Sequence, residues 1–219
     1  ISPQKLAEEG WLAHKEVEEA PEFSTTKVEF DKVRPYREML LNKAYEKFRK
    51  IATPQQKNDL AAFRKDAAWW LDDYALFAAL KQANDGKAWH QWDKDLVQRK
   101  PAAIKAVTKA LEIGIEREAF IQYQFHWQWR ALKTYARMRG VRLMGDVPIF
   151  VAHDSADVWA HQDLFYLDAQ GEPLVIAGVP PDYFSETGQR WGNPLYRWDV
   201  LKKQKYRWWV DRLRHALTQ

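Results

Sequence analysis

The chain has 219 residues, 46% hydrophobic and 29% charged, a composition typical of a globular domain with one sizeable core or two small ones. It contains no cysteine, which excludes disulfides and thiolate metal sites and favours a cytoplasmic location. The net charge of +4 comes from scattered basic residues, and no apolar run approaches the roughly 20 residues of a membrane span, so we expect neither a nucleic-acid partner nor a membrane partner.

The first part of the chain predicts a succession of helices with explicit start and stop signals. Ser2, Pro3 and Gly10 are placed as the N-cap, first-turn proline and terminal glycine of a short helix. In the next helix, Pro35 is compatible only with a position in or before the first turn. Residues 53–56, Thr-Pro-Gln-Gln, form a capping-box sequence that predicts the start of a further helix.

Two further segments complete the predicted helical part. Trp89, Trp92 and the lysine-rich segment before Pro101 predict a connection at the surface. Residues 115–139 carry apolar and aromatic side chains every three to five positions, which predicts the longest helix. Gly140 supplies its C-terminal stop.

An apolar, β-branched segment, residues 141–151, predicts a strand buried on both faces. Asp146 interrupts it, and a carboxylate there must find partners or lie at an opening. The pattern leaves open whether Asp146 is structural or functional. Asp154 and Asp157 follow closely, but their positions beside Ser155 favour capping of the next helix. Residues 168–171 then predict the turn of a small hairpin, and a last helix closes the chain.

The segment 178–194 contains three prolines, three glycines and three aromatic residues among seventeen, which excludes a helix and is typical of a functional loop. Its aromatic rings can stack on the apolar faces of sugar rings, and its amides can bond hydroxyl groups; packing of the loop onto its own protein is the alternative. The predicted substrate-binding residues are Tyr183, Phe184, Gln189, Trp191 and Asn193. The histidines lack zinc-ligand spacing, and no phosphate or dinucleotide fingerprint occurs, so we predict no metal and no cofactor.

Five sequence blocks carry a resemblance to a known family. They are Leu143–Val151 (LMGDVPIFV), Asp154–Trp159, Gly178–Ser185, Thr187–Gln189 and Trp191–Trp198. Together they resemble the amylomaltase, or disproportionating-enzyme, family of 4-alpha-glucanotransferases. The resemblance implies an α/β, mostly helical chain that forms a partial (β/α)8 barrel segment with a helical insertion. Residues 1–140 would supply the insertion and barrel helices, and residues 141–219 a barrel strand, a small hairpin, the glucan-covering loop and a closing helix.

The resemblance also implies an activity and its site. Members of this family cleave α-1,4-glucans, hold the donor as a covalent glycosyl-enzyme and pass it to the 4-hydroxyl of another glucan, with maltooligosaccharides as partners. Asp146 matches an active-site aspartate at the end of the third barrel strand, which supports sugar binding and is not the nucleophile. Tyr183, Phe184, Gln189 and Trp191 match the loop that arches over the glucan.

The sequence departs from the family pattern at the reacting groups. The Arg-x-Asp-His motif of the nucleophile and the later acid/base glutamate do not occur, and the chain begins at Ile1. We therefore expect an internal fragment that is inactive alone. The alternatives are a noncatalytic glucan-binding module and a helical interaction protein. A lone barrel strand would expose its edges, which predicts self-association of the fragment.

Overall fold

The computed structural model describes residues 1–218 and divides them into two compact units. Unit 1 comprises Ile1–Asp72 and Glu116–Arg142, and unit 2 comprises Asp73–Ile115 and the chain from Leu143 onward. The prediction of a mostly helical chain is confirmed, since 61% of the chain is helical. The division into functional segments at residue 140 stays a prediction.

Ten α-helices, two short 3-10 helices (Trp89–Gln91 and Gln162–Leu164) and one antiparallel strand pair make up the regular structure of residues 1–218. The helices are α1 (Pro3–Glu8), α2 (His14–Glu18), α3 (Phe30–Ile51), α4 (Pro54–Ala83), α5 (Lys94–Val97), α6 (Pro101–Ala110), α7 (Glu112–Met138), α8 (Ala156–Ala160), α9 (Trp198–Lys203) and α10 (Arg207–Thr218). The strands are β1 (Ile176–Val179) and β2 (Gln189–Pro194). None of the helices in the described part of the chain has the length and apolar character that crossing a bilayer requires.

Helix α1 begins and ends as the sequence predicts. The Ser2 hydroxyl accepts a hydrogen bond from the Lys5 amide, and Gly10 adopts a φ of +84° just after the helix. Its buried side chain Leu6 joins Leu40 and Phe120 in the core of unit 1. Capping thus fixes where the chain turns into the helix, and burial holds the helix in place.

The position predicted for Pro35 is wrong. Helix α3 begins at Phe30, so Pro35 lies in the second turn and not in or before the first. Because proline has no N–H, the carbonyl of Asp31 loses its usual i→i+4 partner. The helix continues nevertheless, since its later turns bury Leu40 and Tyr45 in the core.

The predicted capping box at the start of α4 is confirmed. The Thr53 amide donates to the Gln56 side chain at 2.9 Å, and the Gln56 amide donates to the Thr53 hydroxyl at 3.3 Å. Thr53→Ala is therefore expected to lower the free energy of unfolding by about 1 kcal/mol. Thr108→Ala, at an exposed position inside α6, is the matched control and should change it by less than about 0.5 kcal/mol. Urea denaturation checks both, and equal effects would contradict the cap.

The surface connection predicted around Trp89 and Trp92 is wrong. Both indoles are buried in the core of unit 2, where Trp92 packs edge-on against Trp159 with ring centroids 5.6 Å apart. Their N–H groups remain satisfied, because Trp89 donates to the His153 carbonyl at 2.7 Å and Trp92 to the Lys87 carbonyl at 3.0 Å. Large aromatic side chains with a bonded polar tip are well suited to burial.

The buried strand predicted at residues 141–151 is also wrong for this chain. Residues 141–148 have no regular secondary structure, and Leu143, Met144 and Ile149 are exposed. A strand needs neighbouring strands to pair its N–H and C=O groups, and within residues 1–218 the only regular sheet is the β1–β2 pair. The strand edge from which self-association was predicted is therefore not formed, and self-association stays a prediction.

Candidate functional site

The loop predicted at residues 178–194 has strands at both ends. Strands β1 and β2 pair antiparallel, with Gly178 opposite Arg190 and Val179 opposite Gln189. The sequence interpretation missed this hairpin, because glycine and proline weaken the strand signal. Alternation is also absent from β2, where most side chains are exposed. The hairpin nevertheless positions residues 180–188 as a projecting tip.

Side-chain hydrogen bonds fix the backbone of this tip. The Asp182 carboxylate accepts from the amides of Phe184 at 2.9 Å and Ser185 at 3.0 Å, which is an Asx-type turn. The Ser185 hydroxyl donates to the Gly188 carbonyl at 2.7 Å. The tip is thus held by its own polar groups.

Gly188 closes the tip and cannot readily be replaced. Its φ is +74°, in the left-handed region that favours glycine. A Cβ atom there would lie 2.5 Å from the Val179 carbonyl oxygen, which belongs to the backbone and cannot easily move. The return of the chain into β2 therefore depends on the absence of a side chain at this position.

The two aromatic side chains at the tip point into solvent. Tyr183 is fully exposed and Phe184 is 93% exposed, and neither ring makes a ring contact or side-chain hydrogen bond within residues 1–218. For these rings the alternative of packing onto the chain itself does not hold. Adjacent exposed rings on a fixed backbone form an apolar surface suited to a flat ligand.

Trp191 and Gln189 lie together on β2. The Trp191 indole donates to the Gln189 side-chain oxygen at 3.2 Å and meets the Phe150 ring edge-on, with centroids 6.1 Å apart. Half of the Trp191 side chain remains exposed. The hydrogen bond orients the indole while leaving apolar surface accessible, so both residues stay available for a ligand.

Asn193 has a structural contact that the sequence did not predict. Its side-chain amide donates to the Val151 carbonyl at 2.8 Å. The amide that was predicted to bond a sugar hydroxyl therefore ties β2 to the segment that follows Asp146. A direct role of Asn193 in substrate binding stays a prediction.

Asp146 is exposed, and its carboxylate makes no hydrogen bond or ion pair within the described residues. The residues just after it are fixed. The Pro148 carbonyl accepts from Arg212 at 3.1 Å, and the Ile149 carbonyl accepts from the Tyr196 hydroxyl at 2.8 Å. The chain just after Asp146 is thus anchored by hydrogen bonds from Tyr196 and from Arg212 of α10. Sequence reasoning missed the anchoring residues Tyr196 and Arg212, because they lie 47 and 64 positions away from their acceptors.

Asp154 is structural. It accepts from the Trp89 amide at 3.2 Å and pairs with the Lys81 ammonium at 2.7 Å. The cap of α8 is Ser155, whose hydroxyl accepts from the Val158 amide. The prediction that this segment starts a short helix is confirmed, with Ser155 and not Asp154 as the capping residue.

Tyr196→Phe tests whether the hydrogen bond from Tyr196 to the Ile149 carbonyl anchors the chain just after Asp146. Tyr196 is buried, and burial raises its pKa to about 12. Loss of the hydroxyl leaves the Ile149 carbonyl without its donor and should lower the free energy of unfolding by about 1 kcal/mol at neutral pH. The folded state holds the phenol proton more tightly than the unfolded state, so the wild-type chain should lose stability as the pH rises from about 10 to 12.

The Tyr196→Phe variant lacks the titrating group and should lose less stability over that alkaline range. Urea midpoints measured at pH 8 and pH 11 give both quantities. A variant as stable as the wild type at pH 8 and as alkali-sensitive at pH 11 would contradict the assigned role.

Comparison with known proteins identifies the chain's relatives. A sequence model of the glycoside hydrolase family 77, described as 4-alpha-glucanotransferase, matches residues 1–219. The chain belongs to this family. The resemblance predicted from the sequence blocks is therefore confirmed.

Individual members of the 4-alpha-glucanotransferase family match along almost the whole chain. The Thermus thermophilus 4-alpha-glucanotransferase is 46% identical over 217 residues, which are 99% of this chain and 43% of that protein. The Solanum tuberosum enzyme, chloroplastic/amyloplastic, is 37% identical over 219 residues, 99% of this chain and 37% of that protein. The chain thus spans less than half of the length of these relatives.

A solved structure shows the same fold. The amylomaltase from Streptococcus agalactiae in complex with acarbose superposes with a TM-score of 0.93 at 34% sequence identity. The match covers 98% of this chain and 43% of that chain. The fold of residues 1–218 is therefore that of the corresponding part of an amylomaltase.

Proposed function

We propose that the chain is part of a 4-alpha-glucanotransferase, which transfers α-1,4-glucan segments to the 4-hydroxyl of an acceptor glucan by a retaining, covalent mechanism. The observation that carries this proposal is the hairpin tip with its exposed rings. Tyr183 and Phe184 offer apolar surface that no described residue covers, on a backbone held by Asp182 and Ser185. Such a surface matches the apolar faces of consecutive glucose units.

The chain would contribute binding and positioning and not the bond-breaking groups. A retaining mechanism needs a nucleophilic carboxylate and an acid/base carboxyl about 5–5.5 Å apart. The family's Arg-x-Asp-His nucleophile motif is absent from the 219 residues, so we infer that they do not form this pair. Asp146, exposed and without an internal partner, would accept hydrogen bonds from sugar hydroxyls beside the cleavage point.

We further infer that residues 141–151 become a barrel strand when neighbouring strands are supplied. The segment is apolar and β-branched, as a strand buried on both faces requires. Its exposure leaves several apolar side chains in water, which burial in a barrel would remove. The partial (β/α)8 barrel is thus a proposal about the chain in its longer context.

Transfer in place of hydrolysis requires that water be kept from the glycosyl-enzyme. The rings of Tyr183 and Phe184 would lie over the bound glucan and cover it from solvent, while Trp191 and Gln189 would contact it from the same hairpin. Exclusion of water also strengthens the hydrogen bonds made by Asp146, because the local dielectric falls.

The proposal is tested by placing the chain in a complete enzyme. The 219-residue chain alone should release no glucose from maltotriose. A chimera in which it replaces the 217-residue matching region of the Thermus thermophilus enzyme should disproportionate maltotriose measurably. Asp146→Asn in the chimera should lower that rate about a hundredfold or more.

An active isolated chain would disprove the assignment of the reacting groups to other residues. A chimera that folds but lacks activity, or an Asp146→Asn chimera as active as its parent, would contradict the proposed contribution of this chain. Circular dichroism and thermal unfolding establish that each protein is folded.

A noncatalytic glucan-binding module is the second candidate, favoured by the same exposed rings. In that case maltoheptaose should quench the tryptophan fluorescence of the isolated chain saturably, and Trp191→Ala should abolish the quench. Binding by a chain whose chimera is inactive would select this candidate over the first.

A further inference from the structure

Unit 1 contains a cavity that the proposed transfer reaction does not use. Its volume is about 380 Å³, within the range of about 300–1,000 Å³ typical of small-molecule sites. All of its lining residues belong to unit 1 and come from α1, the segment after it, α3, α4 and α7. None of its lining residues belongs to the hairpin, which is part of unit 2.

A buried polar group faces this cavity without a partner. The Gln124 side chain is only 2% exposed, and its carboxamide oxygen accepts no hydrogen bond within residues 1–218. A buried acceptor that lacks a donor is costly, and buried polar groups in native proteins are nearly always satisfied. A ligand hydroxyl in the cavity would supply the missing donor.

Further polar groups around the cavity are suited to hydroxyls. The Gln56 side chain uses its oxygen in the cap of α4, which leaves its amide N–H groups available as donors. Burial raises the pKa of Glu9, against smaller opposing effects of the Trp11 indole and the Lys5 charge. Amides, together with one carboxyl and one ammonium of opposite charge, favour a neutral polar ligand over an ion.

Aromatic rings supply the apolar part of the cavity. Tyr123 and Trp127 lie one turn apart on α7 and meet edge-on, with centroids 6.2 Å apart. The Arg130 guanidinium lies 5.5 Å from the Trp127 ring centroid, which orients the indole, and the side chain is still 47% exposed. An oriented, partly open indole beside carboxamides is the combination that binds the two kinds of surface on a sugar ring.

We propose that this cavity binds a single neutral sugar ring, with Gln124 accepting from a hydroxyl and Trp127 stacking on the apolar face of the ring. The ring could be a free hexose or the end unit of a glucan, since both present the same hydroxyls. The inference does not rest on the transfer reaction, because it concerns residues of the helical unit alone.

The test titrates the ¹⁵N-labelled chain with D-glucose and, separately, with maltotriose, while NMR follows the tryptophan indole N–H signals. We expect saturable shifts of the Trp11 and Trp127 signals, with dissociation constants in the millimolar range. Trp127→Ala and Gln124→Leu should each raise the dissociation constant about tenfold or more. For Trp127→Ala the constant is read from the Trp11 signal, and for Gln124→Leu it is read from both the Trp11 and the Trp127 signals. Tighter binding of glucose identifies the free hexose, and tighter binding of maltotriose identifies the glucan end.

Matched variants make the result specific. Tyr135→Ala changes an exposed aromatic residue of the same helix that does not line the cavity, and it should leave the constant within twofold. Gln124→Leu replaces the carboxamide, whose oxygen is unpaired, by an apolar group of similar shape, and circular dichroism checks that the variant folds. Tyr183→Ala should leave the Trp11 shift unchanged, since it alters only the hairpin.

Three results would overturn the proposal. The first is the absence of saturable shifts with either sugar at 100 mM, a concentration about 100-fold above a millimolar dissociation constant. The second is equal binding by the Gln124→Leu and wild-type chains, and the third is loss of the Trp11 shift in Tyr183→Ala. Loss of transferase activity in the chimera would not affect any of these readouts, so failure of the proposed function and failure of this inference are distinguishable.

Discussion

Trp89→Ala is expected to lower the free energy of unfolding of unit 2 by about 3–5 kcal/mol. The side chain is completely buried, and its indole donates to the His153 carbonyl at 2.7 Å. Truncation removes the apolar contact area and leaves that carbonyl unsatisfied in the core. The surroundings cannot easily collapse into the space, because the Gly171 backbone beside the ring is held by hydrogen bonds to the Asp168 carbonyl and the His153 ring.

Gly171 shows how closely this site is packed. A Cβ atom there would lie 2.4 Å from the Trp89 ring, and the residue has a φ of +83°. The turn at residues 168–171 therefore closes directly onto the indole. The Trp89 ring and Gly171 are complementary in shape, so a substitution at either residue should lower the free energy of unfolding substantially.

The measurement for Trp89→Ala is urea unfolding followed by near-ultraviolet circular dichroism, which reports aromatic packing. Trp198→Ala is the matched control, since it makes the same change in unit 2 at a side chain that is 55% exposed. We expect the control to cost less than half as much. Equal destabilisation by the two substitutions would contradict a central role of Trp89 in the packing of unit 2. A decrease in the free energy of unfolding below about 1 kcal/mol for Trp89→Ala would contradict it as well.

Helix ends were predictable from the sequence because the deciding interactions are local. Ser2 caps a helix by bonding an amide three residues away, and Thr53 and Gln56 bond each other across the same distance. Gly140 follows α7 with a φ of +73°, as a helix stop requires. Such signals lie within a few residues and need no knowledge of the rest of the fold.

Burial and strand formation were not predictable in the same way. Trp89 contacts residues more than 60 positions away, so local pattern could not show that it lies in the core. The opposite error occurred at residues 141–151, where an intrinsically strand-like sequence has no described strand to pair with. Both errors arise because tertiary partners decide the outcome and propensity does not.

In the candidate site too, features set by local sequence were predictable and features set by long-range contacts were not. The exposure of Tyr183 and Phe184 follows from a proline- and glycine-rich segment that cannot pack as a helix, and the sequence identified both residues. The tie between Asn193 and Val151 joins positions 42 residues apart, and the cavity around Gln124 is built from several helices. Long-range contacts of this kind become visible only in the structure.

Replacing both tip rings, Tyr183→Ala with Phe184→Ala, is expected to weaken maltoheptaose binding about a hundredfold. Stacking one face of an aromatic ring buries roughly half of its about 150–250 Å², worth about 2–3 kcal/mol at about 25 cal/mol per Å². Ordering of the side chain subtracts about 0.5–1.5 kcal/mol, which leaves about 0.5–2.5 kcal/mol, centred on about 1.5 kcal/mol, for each ring. Two rings together, at about 3 kcal/mol, therefore change the dissociation constant by about two powers of ten.

The same double change should leave the free energy of unfolding within about 0.5 kcal/mol of the wild type, because neither ring contacts the described part of the chain. Affinity is measured by quenching of tryptophan fluorescence, and Tyr166→Ala, a partly exposed tyrosine of unit 2, is the control with unchanged affinity. Affinity and stability falling together would show that the rings pack onto the protein. Unchanged affinity would show that the glucan does not lie against the tip.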